Sequence, residues 1–247
     1  MNRIFAALAL SSAAVVSAPA LADPLPNGAN GVTFTTFNPA TRGTLLSSLN
    51  YTNQRATPAS AATYTANLRT AVYRNTSGTL DFWYQVAVTA IDPGDMVTGL
   101  TASSFLGYNV SAFFSGGGLG DPDGAGIFTA PFNPGTFTST ASRNASGFTI
   151  RSDFGANGLV AGETSATYIF RTNATRFDTL GSFAVHDGST VTVAGFRPIL
   201  PPVPEPATWA LMILGFGFVG YGMRRQLRRS DAKFDLRIRQ IAAGEIA

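Results

Sequence analysis

Hydrophobic and polar residues alternate in short runs along the central part of the chain, and a period of two residues predicts β-strands. In the clearest run, 81–89, the even-numbered positions from Phe82 to Val88 are predicted to share one face. The odd-numbered positions, which begin with Trp83, share the other face. A second run at 68–74 precedes it, and the connection from Asn75 to Gly78 predicts a hairpin in which the glycine adopts a positive φ.

Further alternating runs predict strands at 32–37, 96–102, 105–114, 136–140, 146–152, 165–172 and 190–197. Asp-Pro sequences at 92–95 and 121–124 predict turns. Residues 44–55 fit either a short helix or a loop. This pattern predicts an all-β fold, an antiparallel β-sandwich or jelly-roll-like body over residues 23–200. A right-handed β-solenoid is the alternative, but no fixed repeat supports it.

The first apolar segment that departs from this pattern is residues 1–22. It combines Arg3, an apolar stretch and a small-residue end, in which Ala20 and Ala22 fit the cleavage pattern of a signal peptide. The sequence therefore predicts a signal helix, export by Sec-type machinery and a mature chain that begins at Asp23. The chain has no cysteine, which excludes a disulfide framework and thiolate chemistry.

The second apolar segment, residues 207–223, predicts one C-terminal transmembrane helix. Seventeen helical residues span about 25 Å, just enough for a thin bilayer. Four arginines follow at once: Arg224, Arg225, Arg228 and Arg229. The positive-inside rule places this end in the cytoplasm and the body outside, which is the orientation that a signal peptide also requires.

Residues 203–229, within a sorting signal predicted over 201–229, resemble the PEP-CTERM sorting domain, a three-part tail of Gram-negative bacterial proteins. Pro204, Glu205 and Pro206 match its Pro-Glu-Pro motif, the Ala-Thr-Trp run that ends at Trp209 opens its glycine-rich helix, and the arginines match its basic end. The resemblance implies insertion in the inner membrane and recognition by an exosortase, a membrane-embedded transpeptidase that cuts near the motif. It also implies delivery to the cell surface or extracellular matrix, in a bacterium that makes exopolysaccharide or biofilm.

The chain continues past the arginines, where proteins with this tail usually end. Residues 230–247 fit either a short amphipathic segment at the membrane surface or an unstructured cytoplasmic tail. The residues that favour the first interpretation are apolar and basic ones in close succession: Lys233, Phe234, Leu236, Arg237, Ile238, Arg239 and Ile241.

The net charge of +3 belongs to the tail and not to the body. Residues 23–203 contain nine arginines against ten acidic residues and no lysine, whereas 204–247 contain seven basic and four acidic residues. A nucleic-acid-binding domain would show clustered Lys and Arg on one face. The sequence therefore predicts no nucleic-acid partner.

Candidate catalytic chemistry in the body is sparse. His186 is the only histidine, so a metal site would lack a second imidazole, and no G-x-S-x-G elbow accompanies it. Asp121 and Asp123 lie in a glycine-rich run that could bind Ca²⁺ through carboxylates and backbone carbonyls, but the remaining ligands of an EF-hand are missing. The sequence predicts a non-enzymatic body without cofactor or metal.

Aromatic side chains leave one alternative function open. Trp83 and the six tyrosines of the body could stack on sugar rings, which would make the body a carbohydrate-binding module or a carbohydrate-active enzyme with the same tail. An exposed Trp83 or tyrosine on a concave sheet, with two facing carboxylates, would favour that alternative. A surface of Thr and Ser would favour the function predicted here, a structural surface or matrix protein.

Overall fold

The computed structural model describes residues 24–56, 64–115, 126–130, 139–154, 156, 158–200 and 206–243. The chain divides into two compact units, Met1–Leu200 and Pro201–Ala247. The second unit contains one helix, and the signal helix predicted over residues 1–22 lies outside the described residues.

The described body contains twelve strands, which accounts for its all-β character. In chain order they are β1 (Val32–Thr33), β2 (Thr35–Thr36), β3 (Thr44–Arg55), β4 (Tyr64–Arg74), β5 (Leu80–Ile91), β6 (Gly99–Ser103), β7 (Val110–Ser115), β8 (Thr140–Arg143), β9 (Thr149–Asp153), β10 (Thr167–Thr172), β11 (Phe177–His186) and β12 (Thr190–Pro198).

The strands form two six-stranded sheets. Sheet A has the order β2-β7-β10-β5-β4-β3, and sheet B has the order β1-β8-β9-β6-β11-β12. Neighbouring strands pair antiparallel, and the short β2–β7 pair is parallel. The antiparallel pairing is not that of a β-solenoid, in which successive turns stack as parallel strands.

One hydrophobic core joins the two sheets. The ring of Tyr84 in sheet A packs against Phe183 in sheet B with 5.1 Å between centroids, and its hydroxyl donates to the Phe196 carbonyl at 3.2 Å. The hydroxyl of Tyr64 likewise donates to the Val185 carbonyl across the core at 2.6 Å. The predicted all-β fold is therefore confirmed, with its strands in two sheets that contribute to one core.

Phenylalanines supply much of the buried surface of the body. Burial of one phenylalanine side chain contributes about 1.5–3 kcal/mol, so several together can stabilise a domain that has no disulfide. Ten are buried in the described residues: Phe34, Phe37, Phe82, Phe105, Phe113, Phe128, Phe154, Phe170, Phe183 and Phe196.

The predicted hairpin is confirmed and is longer than the sequence indicated. β4 pairs with β5 along its whole length, and Gly78 in the connecting turn has a φ of 83°. The turn at 92–95 is also present, where the Asp95 N–H donates to the Asp92 carbonyl at 3.1 Å. The turn predicted at 121–124 lies outside the described residues.

The interpretation of residues 44–55 as a helix or a loop was wrong, because they form the edge strand β3. β3 pairs with β4 through two register shifts, between Leu45 and Ser47 and between Tyr51 and Gln54. A β-bulge inserts a residue and reverses the alternation of faces beyond it. The bulges therefore hide the period of two in the sequence.

Other features of the strand pattern also differ from the prediction: β7 begins only at Val110 of the strand predicted at 105–114, and most of the strand predicted at 136–140 lies outside the described residues. The sequence did not predict β11, in which a register shift between Asp178 and Gly181 interrupts the alternation. The single strand predicted at 32–37 is divided, since β1 pairs with β8 in sheet B and β2 pairs with β7 in sheet A. This segment therefore connects the edges of the two sheets.

Candidate functional site

The tail forms a single helix, α1 (Pro206–Ala242), of 37 residues. At 1.5 Å per residue its length is about 55 Å. Pro206 is its first residue, a position where the missing N–H of proline costs no hydrogen bond. Pro204 and Glu205, the other two residues of the predicted sorting motif, lie outside the described residues.

The first half of α1 exposes a large amount of apolar surface. Nine of its side chains are more than half exposed: Trp209, Leu211, Ile213, Leu214, Phe216, Phe218, Val219, Tyr221 and Met223. Apolar surface of this extent marks a contact with a membrane or with another protein. Within the residues that the structure describes, no helix is both long enough and apolar enough to cross a membrane. The transmembrane helix predicted over 207–223 is therefore not confirmed.

The basic cluster follows within the same helix. Arg224 and Arg228 are four residues apart, as are Arg225 and Arg229, so each pair lies on one side of the helix. All four arginines are exposed. The helix continues beyond them to Ala242, so residues 230–242 are helical; the last residues, 244–247, are not described.

Trp83, the candidate sugar-stacking residue of the body, is fully buried. It lies on the outer face of sheet A, where it packs against Tyr73, Phe37 and Phe128 at centroid distances of 4.6, 5.0 and 5.7 Å. The sequence predicted its face of the strand correctly but did not indicate that segments remote in the chain cover that face. In this conformation the ring offers no surface to a sugar.

The tyrosines of the described body also form no exposed aromatic surface. Five of the six tyrosines are buried, namely Tyr64, Tyr73, Tyr84, Tyr108 and Tyr168, and Tyr51 on the edge strand β3 is partly exposed. Asp121 and Asp123 lie outside the described residues. Among the residues that are described, no group of three or more His, Cys, Asp or Glu could hold a metal ion.

His186 lies at the end of β11, on the outer face of sheet B. Its Nε2 is 2.8 Å from the hydroxyl of Thr101, and its Nδ1 is 3.2 Å from the hydroxyl of Thr190. Burial and the positive charge of Arg151 lower the pKa of this imidazole, and Asp187 opposes that change. Both ring nitrogens are thus engaged by threonines, an arrangement that differs from a Ser-His-Asp triad.

A cleft of about 720 Å³ lies between the start of the body and the loop before β7. Its lining includes Asn27, Tyr108, Asn109 and Arg143. The hydroxyl of Tyr108 is buried without a hydrogen-bond partner in the described structure. Arg143 donates its hydrogen bonds to backbone carbonyls. No local sequence pattern indicates this cleft, because its walls come from segments far apart in the chain.

Comparison with known proteins bears on the tail alone. The model of the PEP-CTERM protein-sorting motif matches residues 202–229. No curated protein and no solved structure matches the chain. The resemblance predicted from the sequence is therefore confirmed, and this motif indicates an exported protein that is sorted by an exosortase. The chain carries a PEP-CTERM protein-sorting motif at residues 202–229.

Proposed function

We propose that this protein is exported through Sec-type machinery across the inner membrane of a Gram-negative bacterium and is held there transiently by its tail. An exosortase then cuts the chain near Pro204–Pro206 and delivers the body to the cell surface or extracellular matrix, in association with exopolysaccharide or biofilm. The observation that carries this proposal is the sorting motif at residues 202–229.

The composition of α1 supports a membrane as the environment of its first half. Gly215, Gly217, Gly220 and Gly222 lie inside the helix, and each glycine costs roughly 1 kcal/mol of helix stability in water relative to alanine. In a bilayer, by contrast, backbone groups must hydrogen-bond within the helix, and this favours helix formation in spite of the glycines. The exposed apolar side chains of the same segment support the same environment.

The surface of the body supports a structural role. The outer face of sheet B carries short polar side chains that are partly or fully exposed, namely Thr101, Ser103, Thr140, Ser142, Thr149, Ser182, Thr190 and Thr192. In the described body Trp83 is buried and Tyr51 is the only tyrosine that is partly exposed, whereas sugar-binding surfaces use such rings for stacking. This favours a non-enzymatic matrix protein over a carbohydrate-binding module or a carbohydrate-active enzyme. Specific binding of residues 23–200 on a glycan array would overturn the purely structural role.

The sorting proposal is tested in the cells that make the protein. We expect a Pro204→Ala, Glu205→Ala variant to stay in the membrane fraction with its tail uncut, because the recognised motif is gone. The matched control is Pro201→Ala, Glu245→Ala, which changes the same residue types outside the matched segment, residues 202–229. The control should be cut and displayed like the unchanged protein. Normal processing of the Pro204/Glu205 variant would contradict the proposal.

A further inference from the structure

The second half of α1 has one apolar stripe. At about 100° per residue, Met223, Leu227, Phe234, Ile238 and Ile241 fall within roughly 60° of one another around the helix axis. Each of the five is more than half exposed. Leu236, which is also exposed, lies on nearly the opposite side of the helix. The segment 223–241, which we call the basic segment, is therefore an amphipathic helix whose apolar stripe is exposed in the described chain.

The remainder of the basic segment carries an excess of positive charge. It contains seven basic residues and two acidic ones, Asp231 and Asp235, and so has a net charge of +5. The three ion pairs found among the described residues all lie in the body, so the charge of the helix is not neutralised by them. The basic residues are Arg224, Arg225, Arg228, Arg229, Lys233, Arg237 and Arg239.

We propose that the basic segment binds the surface of an anionic lipid bilayer. The apolar stripe would enter the boundary between headgroups and acyl chains, and the arginines and Lys233 would contact lipid phosphates. Charge complementarity favours an anionic bilayer as the binding partner. A net charge of +5 beside an apolar stripe matches a negatively charged membrane interface. Gly222 lies directly before the basic segment, and a helix axis bends at a glycine at low energetic cost. The basic segment can therefore lie along the membrane surface whether or not the residues before Gly222 are inserted in the bilayer.

This surface binding is a property separate from exosortase sorting. Lys233, Arg237, Ile238 and Ile241 lie beyond the matched motif, which ends at residue 229. The basic segment would hold the tail at the cytoplasmic face of the membrane by a second, salt-sensitive contact. This contact would remain after the body has been cut away, because the segment follows the motif in the chain.

The absence of cysteine from the chain allows a direct test with single-cysteine variants of the full-length protein. Ile238→Cys places an environment-sensitive fluorophore on the stripe, and the matched Leu236→Cys places it on the opposite side. With phosphatidylcholine vesicles that contain phosphatidylglycerol, we expect a blue shift and several-fold brighter emission at position 238, both reversed by high salt. The emission of the label at position 236 should remain that of a fluorophore in water.

Three outcomes of this labelling experiment would overturn the proposal. The first is an emission spectrum of the label at position 238 that does not change when anionic vesicles are added. The second is an equal response on vesicles of phosphatidylcholine alone, which would assign the binding to the apolar residues before the segment. The third is a blue shift that grows with protein concentration in the absence of vesicles, which would assign the stripe to a second copy of the chain.

Charge variants give a quantitative test of the same binding. Each basic residue near an anionic surface contributes roughly a fivefold gain in affinity, so Lys233→Gln, Arg237→Gln should weaken binding to the anionic vesicles roughly 25-fold. Asp235→Asn should strengthen it several-fold, because it removes a repelled charge. Unchanged affinity in both variants would contradict the proposal. Failure here leaves exosortase sorting untouched, because these substitutions lie outside residues 202–229.

Discussion

Arg143 holds together three parts of the body that are distant in sequence. Its guanidinium donates from Nη1 to the Leu25 carbonyl at 3.2 Å, and from Nη2 to those of Phe105 and Tyr108 at 2.8 and 2.9 Å. Its Nε donates to the Gly147 carbonyl at 3.1 Å. Burial lowers the pKa of this group. The backbone carbonyls therefore compensate a buried cation at the wall of the cleft.

Removal of this side chain should destabilise the body. We expect Arg143→Ala to lower the free energy of unfolding by about 3 kcal/mol, because several buried carbonyls lose their donor at once. The control is Arg55→Ala, at the exposed end of β3, which should change it by less than ~0.5 kcal/mol. Chemical denaturation of the two variants measures both values. Equal losses would contradict the role assigned to Arg143.

The lowered pKa of His186 predicts how the stability of the body depends on pH. Burial, followed by the charge of Arg151, lowers the pKa of the folded imidazole below its ordinary value of 6.5. As the pH falls through that value, the unfolded chain takes up a proton before the folded chain does, so stability that is present above this pH is lost below it. We expect the melting temperature to fall as the pH drops from neutral to mildly acidic.

The variant His186→Gln isolates this contribution, because the chain has no other histidine. It should show a flatter profile of melting temperature over the same pH range. Another group with a shifted pKa, Asp178, does not interfere in this pH range. Arg197 donates to its carboxylate and lowers its pKa below 3.8, so the stability that the Asp178–Arg197 pair contributes is lost only in more acidic solution. An unchanged slope in the variant would contradict the assignment to His186.

Trp83 shows what sequence can and cannot predict at the scale of a residue. The alternation in β5 fixes its face, since neighbours in a strand point to opposite sides of the sheet. Its burial depends on Phe37 and Phe128, which are remote in the chain and pack on it only after folding. A local pattern contains no information about such contacts.

At the scale of elements, regular strands were predictable and bulged ones were not. β5 keeps a period of two from Asp81 to Val88, with its only register shift near the end of the strand, opposite Thr65 and Ala66, and its hairpin with β4 follows from a turn sequence that contains Gly78. β3 and β11 have register shifts, so their apolar residues change face within the strand. The pairing of β1 and β2 with different sheets also depends on partners more than 70 residues away, at Ala141 and Phe113.

The start of β3 offers a test of this geometry. Gly43 has a φ of 75°, and a Cβ added there would meet the carbonyl of Arg74 at the end of β4. Gly78 has a similar φ of 83° but open space around the added atom. Gly78→Ala should lose about 1 kcal/mol for the left-handed conformation alone. Gly43→Ala should lose clearly more, because backbone must also move; equal melting temperatures of the two variants would contradict this.

At the scale of the whole molecule, the body and the tail are separate units. The hydrophobic core of the body draws on residues from Leu25 to Phe196, so no residue of α1 is needed to close it. A chain that ends at Leu200 should therefore unfold within about 2 °C of the full chain. A large drop in the melting temperature of the shortened chain would contradict independent folding of the body.

The sequence predicted the tail more fully than the body. The sorting motif is local, since its Pro-Glu-Pro run, glycine-rich helix and arginines occur in order within residues 202–229. This order can be recognised from the sequence alone. The surface of the body depends on which strands meet, as the row formed by Ser142, Arg151 and Thr101 across three strands illustrates. The surface chemistry of the body therefore emerges only when the sheets assemble.

Under the proposed sorting, the protein reaches the cell surface only after its tail has been removed, so the intact mass of the protein recovered from that surface is the decisive measurement. We expect a chain that begins at Asp23 and ends near Pro204–Pro206, and so lacks α1. A surface-exposed protein whose mass still includes residues 206–242 would contradict it.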